Sequence, residues 1–127
     1  MNTAVIGLGS NIKPQENISK AKKQLARDFK ILSQSRFMTT KPLGMPDQAD
    51  FLNGAILLET DLEAEELKTH LRKTEAALGR KHTGKHFGPR TIDLDLLVWN
   101  GQVVNKDFYE RDFVQTSVLE LLPQLKG

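Results

Sequence analysis

Apolar side chains recur at every second residue in four segments of the chain, which is the period of a β-strand with one buried face. The four predicted strands are residues 3–8, 31–38, 51–60 and 91–99. Two further segments have helical spacing: one follows Pro14, and the other begins after Thr60 or Asp61 and ends at Gly79. Proline suits the first turn of a helix, Thr and Asp suit its N-cap, and glycine suits the residue beyond its end.

These elements follow one another in the order βαββαβ. Asn100-Gly101 then predicts a tight hairpin, and residues 116–122 predict a short last helix. The order favours an α+β fold of the ferredoxin-like type, a sandwich in which helices cover one face of an antiparallel sheet and the other face is open. The length of 127 residues indicates a single domain over residues 1–127.

The fourth predicted strand carries two aspartates among apolar residues. Asp93 and Asp95 project from one side of this strand, and the alternate positions face the helices; these are Ile92, Leu94, Leu96 and Val98. Aspartate is disfavoured in strands, whereas Mg²⁺ prefers carboxylate oxygens and commonly bridges them to substrate phosphates. The pattern favours a metal and phosphate site on the open face, to which Asn53 also points. The alternative is that both aspartates merely solvate an exposed surface.

A basic, glycine-rich segment precedes this strand. It has no acidic residue between Ala76 and Ile92 and contains four permanent cations: Arg80, Lys81, Lys85 and Arg90. Arginine side chains bind phosphate oxygens bidentately, and a loop of this kind can close over a polyphosphate. A solvated basic loop or a patch for nucleic acid is the alternative. Its position next to the paired aspartates favours a nucleoside triphosphate.

Composition narrows the class of protein. The chain is 39% hydrophobic and 27% charged, as in ordinary soluble domains, and its net charge of +2 is too small for general nucleic-acid binding. It contains no cysteine, and its first residues do not resemble a signal peptide, which together favour a cytoplasmic location. No apolar run is long enough to span a membrane. We therefore expect small-molecule partners rather than nucleic acid or membrane, and the oligomeric state stays open.

Three separated motifs resemble the 6-hydroxymethyl-7,8-dihydropterin pyrophosphokinase family of folate biosynthesis. The most specific covers residues 88–97 (GPRTIDLDLL) and is similar to the family signature. Residues 7–11 (GLGSN) resemble the family's opening, and residues 40–53 resemble its pterin-binding loop and strand. The resemblance implies transfer of pyrophosphate from ATP to the hydroxymethyl oxygen of the pterin, with release of AMP.

The same resemblance implies roles for individual residues. Two Mg²⁺ ions would be held by Asp93 and Asp95, and Arg80 and Arg90 match the family's catalytic, phosphate-handling arginines. The other implied nucleotide contacts are Arg72, Glu75 and Arg111, although the family often has a neutral residue at the first of these. The implied pterin contacts are Thr40, Leu43, Phe51, Asn53 and Phe113. Without the resemblance, the two phenylalanines would be interpreted as ordinary core.

The chain departs from the family pattern after Val104. Residues 105–110 lead directly to Arg111-Asp112-Phe113, where the family has a Pro-His pair, so the chain is expected to be a short form lacking the usual C-terminal part. Reduced activity is the expected consequence. One alternative function is a low-activity pterin- or nucleotide-binding paralogue. Another is a small RNA-binding domain, which the aromatic content of 6% disfavours because such sheets stack bases on aromatic side chains.

Overall fold

The structure, a computed structural model, describes residues 1–41, 50–79 and 91–125. Its strands are β1 (Asn2–Ser10), β2 (Lys30–Gln34), β3 (Met38–Thr40), β4 (Phe51–Thr60), β5 (Asp93–Trp99) and β6 (Gln102–Val103). Its helices are α1 (Pro14–Asp28), α2 (Ala64–Ala77), α3 (Asp107–Glu110) and α4 (Asp112–Leu121). None of these helices has the length and apolar character that a membrane crossing needs.

The strands form one antiparallel sheet in the order β2-β4-β1-β5-β6, with β3 also paired to β4. The first strand therefore lies at the centre, between β4 and β5. This order and the two long helices confirm the predicted ferredoxin-like α+β fold. The consequence for function is that segments distant in sequence, at residues 9, 53 and 93, become neighbours across three strands.

One face of the sheet packs against α1 and α2. Its core consists of alternate residues of the central strands and the apolar stripes of the two helices; the strand members include Ile6, Leu8, Ile56, Leu58, Leu94 and Leu96. From the helices, Leu25 and Leu67 are fully buried among them. Burying side chains of this size contributes about 1.5–3 kcal/mol each, so this face supplies much of the stability of the fold.

The element order predicted that the second face of the sheet is open. In the structure, part of this face is covered. A separate cluster there joins the sheet to α3 and α4 and contains Val5, Ala55, Leu97, Val98, Phe108 and Val118. The expectation that Val98 packs against the first two helices is therefore wrong. The reason is a bulge in β5: Val5 pairs with Val98 but Ile6 pairs with Leu96, so Leu97 is an extra residue that shifts the alternation.

Several element boundaries also differ from the sequence prediction. The N-cap of α2 is Glu63, which forms a capping box with Glu66, rather than Thr60 or Asp61. The predicted strand 31–38 is divided into β2 and β3. Between them, the Ser35 hydroxyl takes the place of a backbone carbonyl and accepts a hydrogen bond from the Ala55 amide (2.9 Å). Helix α3 was not predicted, and α4 begins four residues before the predicted start at 116.

Two local predictions are confirmed by backbone angles. Gly79, just beyond α2, has φ +98°, a conformation that glycine adopts without strain. Asn100 and Gly101 both have positive φ, as a type I′ hairpin between β5 and β6 requires.

Candidate active site

Two glycines of the central strand form the floor of the candidate site. Gly9 pairs with Asn53 on one side and with Asp93 on the other, and Gly7 pairs with Ala55 and Asp95. Residues directly opposite in an antiparallel sheet share a face. Asn53 and the two aspartates therefore lie on one face, as predicted, separated by a strand that contributes no side chains at these two positions.

The amide of Asn53 extends over Gly9. A Cβ atom at residue 9 would lie only 2.6 Å from Oδ1 of Asn53, so no larger residue fits without moving that amide. On its other side, the Asn53 Nδ2 group donates a hydrogen bond to Oγ1 of Thr40 on β3. Thr40 and Asn53, both predicted pterin contacts, are thus in contact with each other, while the predicted contact Leu43 lies outside the described residues.

The two aromatic residues predicted to sandwich a pterin ring are half-buried. Phe51 is the first residue of β4, opposite Thr40, and Phe113 lies in the first turn of α4. In the part of the chain that the structure describes, neither belongs to either hydrophobic core cluster. This is the burial that a ring-binding role needs, but the role itself stays a prediction.

Negative charge is concentrated around Asp95. The pKa of its carboxyl group is raised to about 6, first by burial and then by the charge of Asp93; Arg72 acts in the opposite direction, and Glu75 and Asp107 add smaller upward effects. The nearest approach of that arginine, Nη2 to Oδ1 of Asp95, is 3.7 Å. Because 44% of the Asp95 side chain remains exposed, the carboxylate is crowded by protein on one side and accessible to a ligand on the other.

This arrangement suits a divalent cation bound together with phosphate. Among the described residues there is no group of three or more His, Cys, Asp or Glu side chains that could hold a metal ion alone. Mg²⁺ does not require such a group, because it usually keeps several waters and binds one or two carboxylates plus substrate phosphates. The Asp93/Asp95 pair offers those ligands, and a cation there would relieve the repulsion between the two charges.

The predicted nucleotide contacts Arg72 and Glu75 lie one helical turn apart on α2, beside β5. Glu75 is completely buried; its Oε2 atom accepts a hydrogen bond from the Leu94 amide (2.7 Å), and its Oε1 atom lies 3.0 Å from Nη1 of Arg72. The Nη2 group of Arg72 donates to the Leu94 carbonyl. The pair therefore contacts the backbone between the two aspartates, and contact with nucleotide stays a prediction.

Arg111, a further predicted nucleotide contact, is the N-cap residue of α4 and is half-buried. Its Nε atom lies 3.8 Å from Oδ1 of Asp107, at the start of α3. Sequence reasoning missed Asp107 as part of the electrostatic surroundings of Asp95. The available signal was Asn105 two residues earlier, whose Oδ1 accepts the Asp107 amide at 2.9 Å and so starts the helix. Arg80 and Arg90 lie outside the described residues.

The fold and the site define an α+β domain of ferredoxin-like type with a paired-carboxylate site on its sheet. The chain belongs to the 7,8-dihydro-6-hydroxymethylpterin-pyrophosphokinase (HPPK) family, whose profile matches residues 5–123. The matched range includes the residues predicted to form the site, namely Asp93, Asp95, Asn53, Arg72, Glu75 and Arg111.

Named relatives agree with this family. A Haemophilus influenzae 2-amino-4-hydroxy-6-hydroxymethyldihydropteridine pyrophosphokinase is 32% identical, over 98% of this chain and 84% of its own length. A Campylobacter jejuni protein with the same name is 40% identical over 79% of this chain and 65% of its own length. The chain is 34% identical to an Arabidopsis thaliana folate synthesis bifunctional protein and spans only 26% of that larger protein.

Proposed function

We propose that this protein transfers pyrophosphate from ATP to 6-hydroxymethyl-7,8-dihydropterin, giving the pterin diphosphate and AMP in folate biosynthesis. Family membership and the names of the relatives support the reaction. The observation that carries the proposal is the row Asn53, Gly9 and Asp93 across three strands, which puts a hydrogen-bonding amide next to a carboxylate pair. A pterin edge and a polyphosphate are the two ligands that such a row suits. We also propose a cytoplasmic location, consistent with the lack of cysteine.

In this proposal Asp93 and Asp95 hold two Mg²⁺ ions. When bound, the ions neutralise phosphate charge and favour an in-line displacement. The contribution of the chain is to fix the two carboxylates on a rigid central sheet, next to a strand whose Gly7 and Gly9 make room for the Leu97 side chain and the Asn53 amide. Catalysis of phosphoryl transfer depends mainly on such positioning and on electrostatic stabilisation. A rigid sheet therefore favours catalysis, because it holds the carboxylates in place.

In the same proposal, the pterin is bound at the Asn53 end of the row formed by Asn53, Gly9 and Asp93. Asn53 would pair with the polar edge of the ring, with Thr40 holding the amide in place, and Leu43 would contribute contacts from the preceding loop. Phe51 and Phe113 would stack on the two faces of the ring. Half-burial of both phenylalanines outside the core clusters of the described residues supports that assignment over a purely structural one.

The nucleotide is bound by arginines. Arg80, Arg90 and Arg111 would contact phosphates, with Arg72 and Glu75 nearby. Because residues 105–110 lead directly into Arg111 without the family's Pro-His pair, we propose weaker ATP binding and slower turnover than in longer relatives. Each missing charge-assisted hydrogen bond corresponds to roughly 1.5–3 kcal/mol, or about tenfold to a hundredfold in affinity. Arg111→Ala should then be nearly as damaging as Arg90→Ala.

The test is AMP release from ATP, measured with and without 6-hydroxymethyl-7,8-dihydropterin, in Mg²⁺ and in excess chelator. We expect AMP only when both pterin and Mg²⁺ are present. Asp93→Asn should abolish it. Asp61→Asn is the matched control, because Asp61 is exposed and follows β4 at the end of the sheet opposite Asn53.

Two results would contradict the proposal. AMP formation that does not require the pterin would indicate a different acceptor. Binding of ATP and pterin without any AMP would indicate a binding paralogue that retains the fold and the site but does not catalyse transfer.

A further inference from the structure

The outer edge of β5 is completed by side chains of α2 beside the carboxylate pair. One edge of β5 pairs with β1 along most of its length. On the other edge, among the described residues, the only strand partner is β6, at Val98 and Trp99. The amide and carbonyl of Leu94 point to this outer edge, as their partners on α2 show. Unpaired backbone groups at such a position cost free energy unless they find hydrogen bonds.

Arg72 and Glu75 provide both bonds. The carboxylate of Glu75 accepts from the Leu94 amide at 2.7 Å, and the guanidinium of Arg72 donates to the Leu94 carbonyl. The two side chains are themselves paired at 3.0 Å. Together they take the place of one residue of a neighbouring strand, because they offer Leu94 one hydrogen-bond acceptor and one donor, as such a residue would.

The residue whose backbone they bind, Leu94, is the one between the two aspartates. The Leu94 amide belongs to the peptide plane that follows Asp93, and the Leu94 carbonyl belongs to the plane that precedes Asp95. Fixing both planes fixes the directions in which the two aspartate side chains leave the backbone. Groups that hold metal-binding side chains in orientation typically change metal affinity or activity by about 10–100-fold when removed.

We propose that Glu75, together with Arg72, is a positioning residue for the Asp93/Asp95 pair rather than a contact for the nucleotide. The inference rests on the proposed function and deepens it. A side chain with 0% exposure, whose carboxylate is bonded to the Leu94 amide and paired with Arg72, acts through the strand. Arg72 has a second task, because it is half-exposed and also approaches Asp95.

The experiment measures two quantities in the full chain: binding of Mn²⁺ alone, by electron paramagnetic resonance, and the kinetic constants at saturating Mg²⁺. The variants are Glu75→Leu, which removes the hydrogen bond, and Glu75→Asp, which keeps the charge but shortens its reach. Glu65→Gln is the control, because Glu65 lies on the same helix, is exposed and forms an ion pair with Lys68, away from β5. Exchange of the Leu94 amide with solvent reports directly on the hydrogen bond.

Positioning predicts that Glu75→Leu weakens Mn²⁺ binding and lowers kcat, each by about tenfold or more, while KM for ATP stays within about twofold. Glu75→Asp should show the same pattern with a smaller change, and exchange of the Leu94 amide should accelerate in both. If Glu75→Leu does not fold, Glu75→Asp decides the question.

Two results would overturn the inference. A raised KM for ATP with unchanged Mn²⁺ binding would show direct contact with the nucleotide. A lower Tm with unchanged Mn²⁺ binding and kcat would show a purely structural role. Because Mn²⁺ binding and amide exchange do not depend on turnover, both can be measured even if the protein forms no AMP and the proposed reaction is wrong.

Discussion

The two halves of β5 carry out different tasks, although only one residue separates them. Before the bulge at Leu97, the second face of the sheet presents Asp93 and Asp95 next to two glycines, and it is accessible. At the bulge and just after it, Leu97 and Val98 are both buried beneath α3 and α4. The bulge therefore marks the boundary between a polar, accessible half of this face and an apolar, buried half.

The difference shows how a small domain accommodates a charged site without losing its core. The face toward α1 and α2 is apolar over most of the length of the central strands, so it does not depend on the polar half for its stability. The polar half, by contrast, contains charges that burial disfavours. We expect substitutions in the polar half to change activity and those in the apolar half to change stability.

The largest expected effect is on turnover, in the polar half. Asp95→Asn should lower kcat by more than about a thousandfold, since it removes a ligand for ions that contribute several kcal/mol of charge stabilisation. The same variant should not lower the Tm of the metal-free protein. Burial and the neighbouring Asp93 raise the pKa of this carboxyl group, so its charged form is disfavoured in the folded state. A large drop in metal-free Tm, measured by calorimetry, would contradict the division between the halves.

The converse substitution lies in the apolar half. Val118→Ala on α4 removes two methyl groups from a fully buried site and should lower the free energy of unfolding by about 2 kcal/mol. At a temperature where the variant is folded, kcat should remain within about twofold of the original. Chemical denaturation and the AMP assay together check this. Loss of activity in a fully folded variant would show that the two halves are coupled.

A glycine pair on opposite faces gives a sharper comparison. Gly9→Ala would put a methyl group 2.6 Å from the Asn53 amide oxygen, and displacing that amide should weaken pterin binding by about tenfold, or roughly 1–2 kcal/mol. In Gly54→Ala, the new methyl group would instead meet the ring of Phe37, also at 2.6 Å, on the face toward α1 and α2. Pterin titrations should separate the first variant from the second, which should mainly lose stability. Equal pterin affinity in both would remove the role assigned to Gly9.

The smallest expected effect concerns the attachment of α4 to the sheet. Glu120 accepts hydrogen bonds from the backbone amide of Arg36 (2.7 Å) and from its guanidinium, and these bonds lower the pKa of the Glu120 carboxyl group. A lowered pKa means that the ionised form is favoured on folding. The stabilisation is therefore present at pH 7 and lost as the pH falls through the pKa of the folded state.

Glu120→Gln should reduce Tm slightly at pH 7, and the difference from the original protein should disappear once the pH falls below the lowered pKa of the Glu120 carboxyl group, where that side chain is protonated and, like glutamine, uncharged. Thermal unfolding across this range checks the prediction. A difference that persists at low pH would show that the effect is not electrostatic.

Periodicity predicted the fold class and the long elements, because each strand and helix has at least one apolar face along most of its length. It failed at Val98, since a bulge changes which face a residue occupies and leaves no mark in a run such as Leu96-Leu97-Val98. It also failed to predict that α3 and α4 cover half of the second face. That arrangement depends on packing between residues about sixty positions apart, such as Ala55 and Val118.

The candidate site was predicted unevenly. Asp93, Asp95 and Asn53 were placed on one face from alternation alone, and the structure brings them to neighbouring positions across β1. The arrangement of Arg72 and Glu75 around the Leu94 backbone could not be predicted, because it requires knowing on which edge of β5 Leu94 has no strand partner among the described residues. The sequence pattern identified the charged residues. It could not distinguish a residue that contacts the nucleotide from one that positions the two aspartates.

In the proposed function, a divalent ion and its phosphates bind to the polar half of the second face. The direct measurement is paramagnetic broadening of backbone amide signals by Mn²⁺ with a non-hydrolysable ATP analogue, in the original protein and in the Asp93→Asn/Asp95→Asn double variant. Broadening should be strongest at Gly9, Asp93 and Asp95, weak at Val118, and absent from the double variant. Broadening that is centred elsewhere, or that persists in the double variant, would show that the ion and its phosphates bind at another place.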